Sequence, residues 1–327
     1  MKQYRVLLIA ALGSPWNDGW FYKTGFEKNG HTVITYDPKG RADARAEVLS
    51  LVRDFRPDIA LHTKDELPAA DFQTLRQEVR VVQWYPDPVI PDWLPEYVRA
   101  SDIFFTMSEG LVDDFRQMNS SSFWLSQAFE PSAFAVRALS DEDRREFSSD
   151  VTFVGNLGSK PQYARRRTYL DRVLREGMAL KWWGPKLPWK LSNLLLWYGR
   201  VGRAYGGRFV WGEEHAKIAR LSKIYLGLDS QPHIRKSMSE RMYIAVGCGA
   251  FYLCEHVPGI EEVLVPEREI VTFHTEDEMI DRIRFYLPKD GLREKIAAAG
   301  RARVLRDHTY ETRIRQMLGL IEEAGVF

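Results

Sequence analysis

Ser237, Ser239, Glu240 and Arg241 stand together just before the apolar run Met242–Val246. A serine at a helix start can cap it and leave backbone N–H groups free for a phosphate. An arginine in the first turns can neutralise a leaving diphosphate while the bond to it breaks. The same residues also suit a well-capped surface helix closed by a glycine. A second phosphate cradle is offered by Gly155-Asn156-Leu157-Gly158-Ser159-Lys160, followed by Arg165-Arg166-Arg167. Small residues let a ligand approach the backbone, and Lys160 adds charge at a helix start. Three consecutive arginines leave a helix in different directions, so one or two can reach a ligand and the rest face solvent.

Two carboxylates are placed to take a proton from a hydroxyl. Asp87 lies in Trp84-Tyr85-Pro86-Asp87-Pro88, where the prolines stiffen a turn after a strand. Asp18 lies in Gly13-Ser14-Pro15-Trp16-Asn17-Asp18-Gly19, and Gly13 leaves room there for a diphosphate or an acceptor. Asp87 can equally bond its own turn, and the Gly13 loop can be an ordinary strand-to-helix connection. The loop lacks G-x-G-x-x-G, which disfavours a dinucleotide-dependent dehydrogenase. Trp183, with Gly184 beside it, is a candidate platform for a nucleobase; strand alternation turns one of Trp182 and Trp183 into the core. His62, Asp65 and His215 offer material for sugar epimerisation without forming a constellation.

The elements that must hold these residues read as two successive α/β units. Strand-like runs at Arg5–Ala10, His31–Asp37, Asp58–Leu61, Val79–Trp84, Ile103–Met107 and Phe123–Leu125 alternate with helical stretches. The pattern restarts with Val151–Val154, Leu180–Trp183, Ile224–Leu228, Ala250–Leu253 and Ile270–Phe273, and ends in helices Glu276–Tyr286, Gly291–Asp307 and Tyr310–Ala324. This predicts an N-terminal domain over 1–130, a connection over 131–150, a second domain over 151–308 and a last helix, 309–327, packing back toward the first domain. A ligand is expected where the strand ends of the two sheets face each other.

Composition narrows the function classes. The 327 residues carry 46 Lys and Arg against 45 Asp and Glu, a net charge of +1, which argues against a general nucleic-acid binder. Aromatics make up 13% and include ten Trp, which suits both sugar stacking and large cores. The two cysteines, Cys248 and Cys254, have neither disulfide-framework nor zinc spacing, which fits a reducing compartment. No apolar run reaches the ~20 residues of a membrane span, and the Val6–Leu12 run reads as a buried first strand rather than a signal peptide. The stretch 186–208 is basic and aromatic without an acidic residue, which suits peripheral membrane contact or an insertion packed on the domain.

Ser239-x-Arg241-x-Tyr243 followed by Cys248-Gly249-Ala250-Phe251 resembles the donor-binding segment of the CgeB (spore maturation protein) branch of group 1 glycosyltransferases. Gly300–Leu305 with His308-Thr309-Tyr310 and Arg313, Trp84–Pro88, Phe153–Asn156 and Gln127–Pro131 are similar to that family as well. The resemblance implies a GT-B fold, α/β with two Rossmann-like domains facing each other across a cleft. It implies a nucleotide-sugar donor as co-substrate, no other cofactor, no required metal, and a hexosyl or deoxyhexosyl transfer to a glycan, lipid-linked or small-molecule acceptor in the cytoplasm or at the inner membrane face. One departure stands out: the family's acidic ribose-binding position holds Ile244, with Glu240 one turn earlier. A non-catalytic binding protein and a different nucleotide-sugar enzyme are the alternatives.

Overall fold

The computed structural model describes residues 2–64, 66–158, 161–186, 193 and 197–325. The chain divides into two compact units: 1–128 with 234–238 and 309–327, and 129–233 with 239–308.

In unit 1, β1 (Arg5–Ile9), β2 (Thr32–Tyr36), β3 (Ile59–Thr63), β4 (Arg80–Tyr85), β5 (Ile103–Thr106) and β6 (Ser122–Trp124) alternate with α1 (Asp18–Lys28), α2 (Ala44–Phe55), α3 (Ala69–Leu75), α4 (Leu94–Ala100) and α5 (Val112–Arg116). All strands are parallel, in the order β2-β1-β3-β4-β5-β6. A parallel sheet is covered on both faces, so β3, Ile59–Thr63, is buried at every position. Helix α2 presents Val48 and Val52 to the sheet and is capped by Asp43, whose carboxylate accepts from the Ala46 N–H at 3.1 Å.

Unit 2 opens with α6 (Asp141–Phe147), β7 (Ser149–Val154), α7 (Pro161–Arg175), β8 (Leu180–Trp183), α8 (Arg200–Arg203), α9 (Gly212–Leu221) and β9 (Ser222–Gly227). It continues through α10 (Glu240–Cys248), β10 (Tyr252–Glu255), β11 (Val271–Phe273), α11 (Glu276–Tyr286) and α12 (Asp290–Asp307). Its strands are parallel in the order β11-β10-β9-β7-β8. The stretch read as a connection, 131–150, is therefore structured. Ser140 and Asp143 form a reciprocal capping box at the start of α6, and β7 begins at Ser149.

Helix α13 (Tyr310–Glu323) packs on α1 within unit 1. Gly25 makes the approach possible: a Cβ there would lie 2.8 Å from the Tyr310 carbonyl oxygen. Tyr22 stacks on Trp84 at 4.5 Å, and the Asn29 amide donates to the Glu311 carbonyl at 2.8 Å. Among the described residues no helix is long and apolar enough to cross a membrane. Cys248 and Cys254 are both buried free thiols.

Candidate functional site

Each sheet reverses its strand order once: β1 has β2 on one side and β3 on the other, and β7 has β8 and β9. Loops that leave a parallel sheet on opposite sides open a crevice at the strands' carboxyl ends, the usual ligand position in such sheets. Charged side chains collect at both of these points.

In unit 2, β7 ends at Val154 and runs into Gly155 and Asn156, while β9 runs into Leu228 and Asp229. Arg166 on α7 donates to the Leu228 carbonyl at 2.9 Å and to the Asn156 carbonyl at 3.1 Å. Arg241 on α10 donates to the same Leu228 carbonyl at 3.2 Å. A Cβ at Gly155 would come within 3.0 Å of Arg241 Nη2, so the glycine lets the guanidinium lie on the backbone. Burial and the charge of Arg241 push the Arg166 guanidinium down to about 9. Asp229 stands 3.9 Å from Arg241, and its buried Oδ1 has no hydrogen-bond partner. A buried and a partly buried guanidinium sharing one carbonyl, with one carboxylate at ion-pair distance, form a site that an anion would relieve.

The neighbouring arginines are engaged. Arg165 bonds both oxygens of Glu255 at the end of β10, and Arg167 donates to the Leu157 carbonyl at 2.9 Å. Burial raises the Glu255 carboxyl while Arg165 holds it down. Ser239 occupies the cap position of α10 without making the cap bond, and its hydroxyl oxygen is buried with no partner. That orphaned oxygen stands at the start of α10, two residues before Arg241, where free backbone N–H groups suit an anion.

Several sequence expectations need correction. Trp183 is 1% exposed and Trp182 is fully buried, so neither ring face is available to a base. Alternation fails as a guide because both faces of a parallel sheet are covered. Trp183 is packed by Phe147 and Gly206, where a Cβ would lie 2.3 Å from the indole. Gly184 serves chain packing: a Cβ there would meet the Gly155 carbonyl oxygen at 2.2 Å. Asn156 turns its side chain onto its own loop, accepting from the Gly158 N–H at 2.7 Å. Ser237 belongs to unit 1, where its hydroxyl bonds that of Ser108 at 2.9 Å. Glu240 opens α10 partly buried, and Ile244 is buried at 8% exposure. Lys160, Ser159 and Asp65 lie outside the described residues, as does most of 187–196. Of the basic residues in 186–208, Arg208 pairs with Glu146 and Glu214 at 2.6 and 2.7 Å.

In unit 1 the two carboxylates singled out from the sequence meet around a lysine. Lys64, directly after β3, places Nζ 3.3 Å from Asp87 Oδ2. Asp18, the first residue of α1, is 3.5 Å from the Tyr22 hydroxyl. Burial raises the Asp18 carboxyl, Lys64 pulls it back, and Asp87 adds to the rise. Asp18, Lys64, Trp16, Glu66 and Pro86 line a cavity of about 250 Å3. Gly13 is an exposed loop residue with nothing within 4 Å of its Cβ position and is not part of that lining.

Sequence reasoning missed Lys64 and Asp229 as site residues, and it named Arg166 only as one of three arginines of which one or two could reach a ligand. Lys64 and Asp229 are each the charged residue closest after a buried strand, a position that marks a parallel sheet's ligand edge. A larger cavity of about 570 Å3 lies at the amino ends of the unit 2 strands, against Arg220, Phe251 and Arg301. None of the residues of the unit 2 charged cluster lines it. Among the described residues no group of three or more His, Cys, Asp or Glu is arranged to hold a metal.

Residues 165–319 match the glycosyl transferase-like family, a segment that contains Arg165, Arg166, Asp229, Ser239, Arg241 and Glu255. Comparison with curated protein sequences gives no match. Solved structures are similar over nearly the whole chain. Sucrose-phosphate synthase from Thermosynechococcus elongatus aligns at TM-score 0.69 and 11% identity, over 99% of this chain and 100% of that one. The catalytic domain of starch synthase IV from Arabidopsis thaliana, bound to ADP and acarbose, aligns at TM-score 0.70 and 12% identity, over 99% of both. HepE from Anabaena, in complex with UDP and glucose, aligns at TM-score 0.66 and 10% identity, over 98% of this chain and 100% of that one. The chain has the two-domain, Rossmann-like GT-B fold, and its residues 165–319 are similar to the glycosyl transferase-like family.

Proposed function

We propose that the protein is a nucleotide-sugar glycosyltransferase, with the donor diphosphate on Arg166 and Arg241 of unit 2 and the acceptor hydroxyl at the unit 1 pocket lined by Asp18 and Lys64, beside Asp87. The observation that carries it is the shared Leu228 carbonyl, which accepts from both guanidiniums, Arg166 buried and Arg241 partly buried, at the reversal point of the unit 2 sheet. The UDP and ADP bound to the HepE and starch synthase IV structures support a nucleoside diphosphate as leaving group.

In the reaction the acceptor oxygen bonds to the anomeric carbon of the donor as the bond from that carbon to the diphosphate breaks. The diphosphate leaves with the electron pair and is stabilised by the guanidiniums, and Asp87 takes the acceptor's proton. The transfer needs no cofactor beyond the nucleotide sugar and no metal, because arginines supply the charge. A hexosyl or deoxyhexosyl donor, and membership of the CgeB branch, belong to the same proposal and rest on the Ser239–Phe251 motif.

Thermal-shift titration with UDP, GDP, dTDP and CMP and their sugar conjugates tests it. A nucleotide at 100 times its dissociation constant stabilises by about 2.7 kcal/mol. One nucleotide class is expected to raise Tm, with the rise lost in Arg241→Ala. No shift with any of them would remove the donor site. Buried Ile244, at the position where an acidic residue was expected, favours a second reading, a binding protein without turnover. Under that reading nucleotide binds but the donor is never consumed.

A further inference from the structure

We infer that Lys64 is a positioning residue, fixed through its backbone by His62 and Gln83, whose ammonium stands against Asp87 and Asp18 and makes the unit 1 pocket select uncharged hydroxyl acceptors over phosphorylated or carboxylated ones. This rests on the transferase reading of that pocket.

Lys64 has φ +52°, a left-handed conformation in which a side chain is strained. Local sequence does not favour it, since Lys64 is neither glycine nor asparagine. A buried chain of hydrogen bonds imposes it. The Leu67 N–H donates to His62 Nε2 at 2.9 Å, so the ring proton sits on Nδ1 and donates to Gln83 Oε1 at 3.2 Å. That orients the Gln83 amide, whose nitrogen donates to the Lys64 carbonyl at 2.6 Å. His62 and Gln83 are 1% and 0% exposed, on adjacent strands β3 and β4 and paired in register. The chain thus fixes the first residue beyond β3 from inside the sheet.

The fixed backbone brings Nζ to 3.3 Å from Asp87 Oδ2. Asp87, Asp18 and Glu66 all act on that one ammonium, and together they raise it against the opposing effect of burial. Tyr22 completes the set of titratable groups by bonding Asp18. Three carboxylates around one lysine leave the pocket with negative charge, and the lysine is already paired. A phosphate or carboxylate on the acceptor would meet like charge at close range, whereas a neutral hydroxyl meets acceptors for its proton. Trp16, 48% exposed on the same cavity, offers an apolar wall to the C–H face of a sugar ring.

Two measurements on the full-length protein test this. In protein labelled with 13C at aspartate carboxyls, Lys64→Gln and Gln83→Leu should both move the Asp18 titration further upward, because Lys64 pulls that carboxyl down, and Lys64→Arg should restore it. An unchanged Asp18 titration in Gln83→Leu overturns the positioning role. In the second measurement, donor consumption is followed with methyl glucoside, methyl galactoside and N-acetylglucosamine, and with glucose 6-phosphate and glucuronate. Neutral acceptors should win by about tenfold or more in kcat/KM, and Lys64→Gln should lower kcat more than it raises KM. Equal or better use of the phosphorylated or carboxylated sugars, or no use of the neutral ones, overturns the selectivity. If no nucleotide binds, the transferase reading fails by itself, while the Asp18 titration still decides whether His62 and Gln83 hold Lys64 in place.

Discussion

Arg166 and Arg241 donate to one oxygen, the Leu228 carbonyl, at 2.9 and 3.2 Å, although they stand on different helices, 75 positions apart in the chain. Because Arg166 also holds the Asn156 carbonyl, the two arginines should respond differently to removal. Arg241→Ala should weaken nucleotide binding by about 1.5–3 kcal/mol, the range of a hydrogen bond to a charged group, with a smaller effect on Tm. Arg166→Ala should lose binding and also lower Tm, since the Asn156 carbonyl loses this donor and the Leu228 carbonyl keeps only Arg241. Calorimetric titration and thermal unfolding of both variants separate the roles; unchanged affinity in both would make the pair structural.

Trp183 is a core residue in this fold, which reverses its expected part in base stacking. Trp183→Phe should keep nucleotide affinity within about twofold, while Trp183→Ala should cost about 3–5 kcal/mol of stability. Urea unfolding and nucleotide titration of the two variants check this. A large affinity loss in Trp183→Phe would restore the stacking role.

Gly184→Ala places a methyl group 2.2 Å from the Gly155 carbonyl oxygen, and backbone there is fixed by the β7–β8 pairing. The cost should be at the upper end of the 1–3 kcal/mol typical of overpacking, measured as a lower urea midpoint. Gly13→Ala, with open space at its Cβ, should be nearly neutral by the same measurement.

His62 and His215 set an acid limit. Burial pushes both imidazoles down to about 3, with the Arg241 charge adding to the effect on His215. Between about pH 3 and 6.5 the unfolded chain therefore binds more protons than the folded one. Their contribution is fully present above about pH 6.5 and is lost as pH falls toward 3, at about 1.4 kcal/mol per unit per histidine. Urea midpoints at pH 7, 6 and 5 should fall in order, and His215→Gln should flatten that slope.

Much of the scaffold was legible because buried parallel strands are short apolar runs. The read strand Leu180–Trp183 and helix Glu276–Tyr286 coincide with β8 and α11. Helix α4 (Leu94–Ala100) was missed, since Pro95 in its first turn reads as a breaker although that position tolerates proline. Helix α9 (Gly212–Leu221) was missed as well: it begins at a glycine with φ +59°, which carries no sequence signature of a cap.

By itself the sequence determined the alternating α/β elements, the phosphate-suited residues around Ser239 and Arg241, and the two carboxylates Asp18 and Asp87. These are local properties: periodicity, capping chemistry and turns act over a few residues. Only the tertiary structure decided which side chains meet. It joined Asp87 to Lys64, set Arg166 beside Arg241 on one carbonyl, and buried Trp183 and Gly184 in the core. The reason is the parallel sheet: its crossovers bring strand ends far apart in sequence to one edge and cover both of its faces, and neither consequence is written in any single segment.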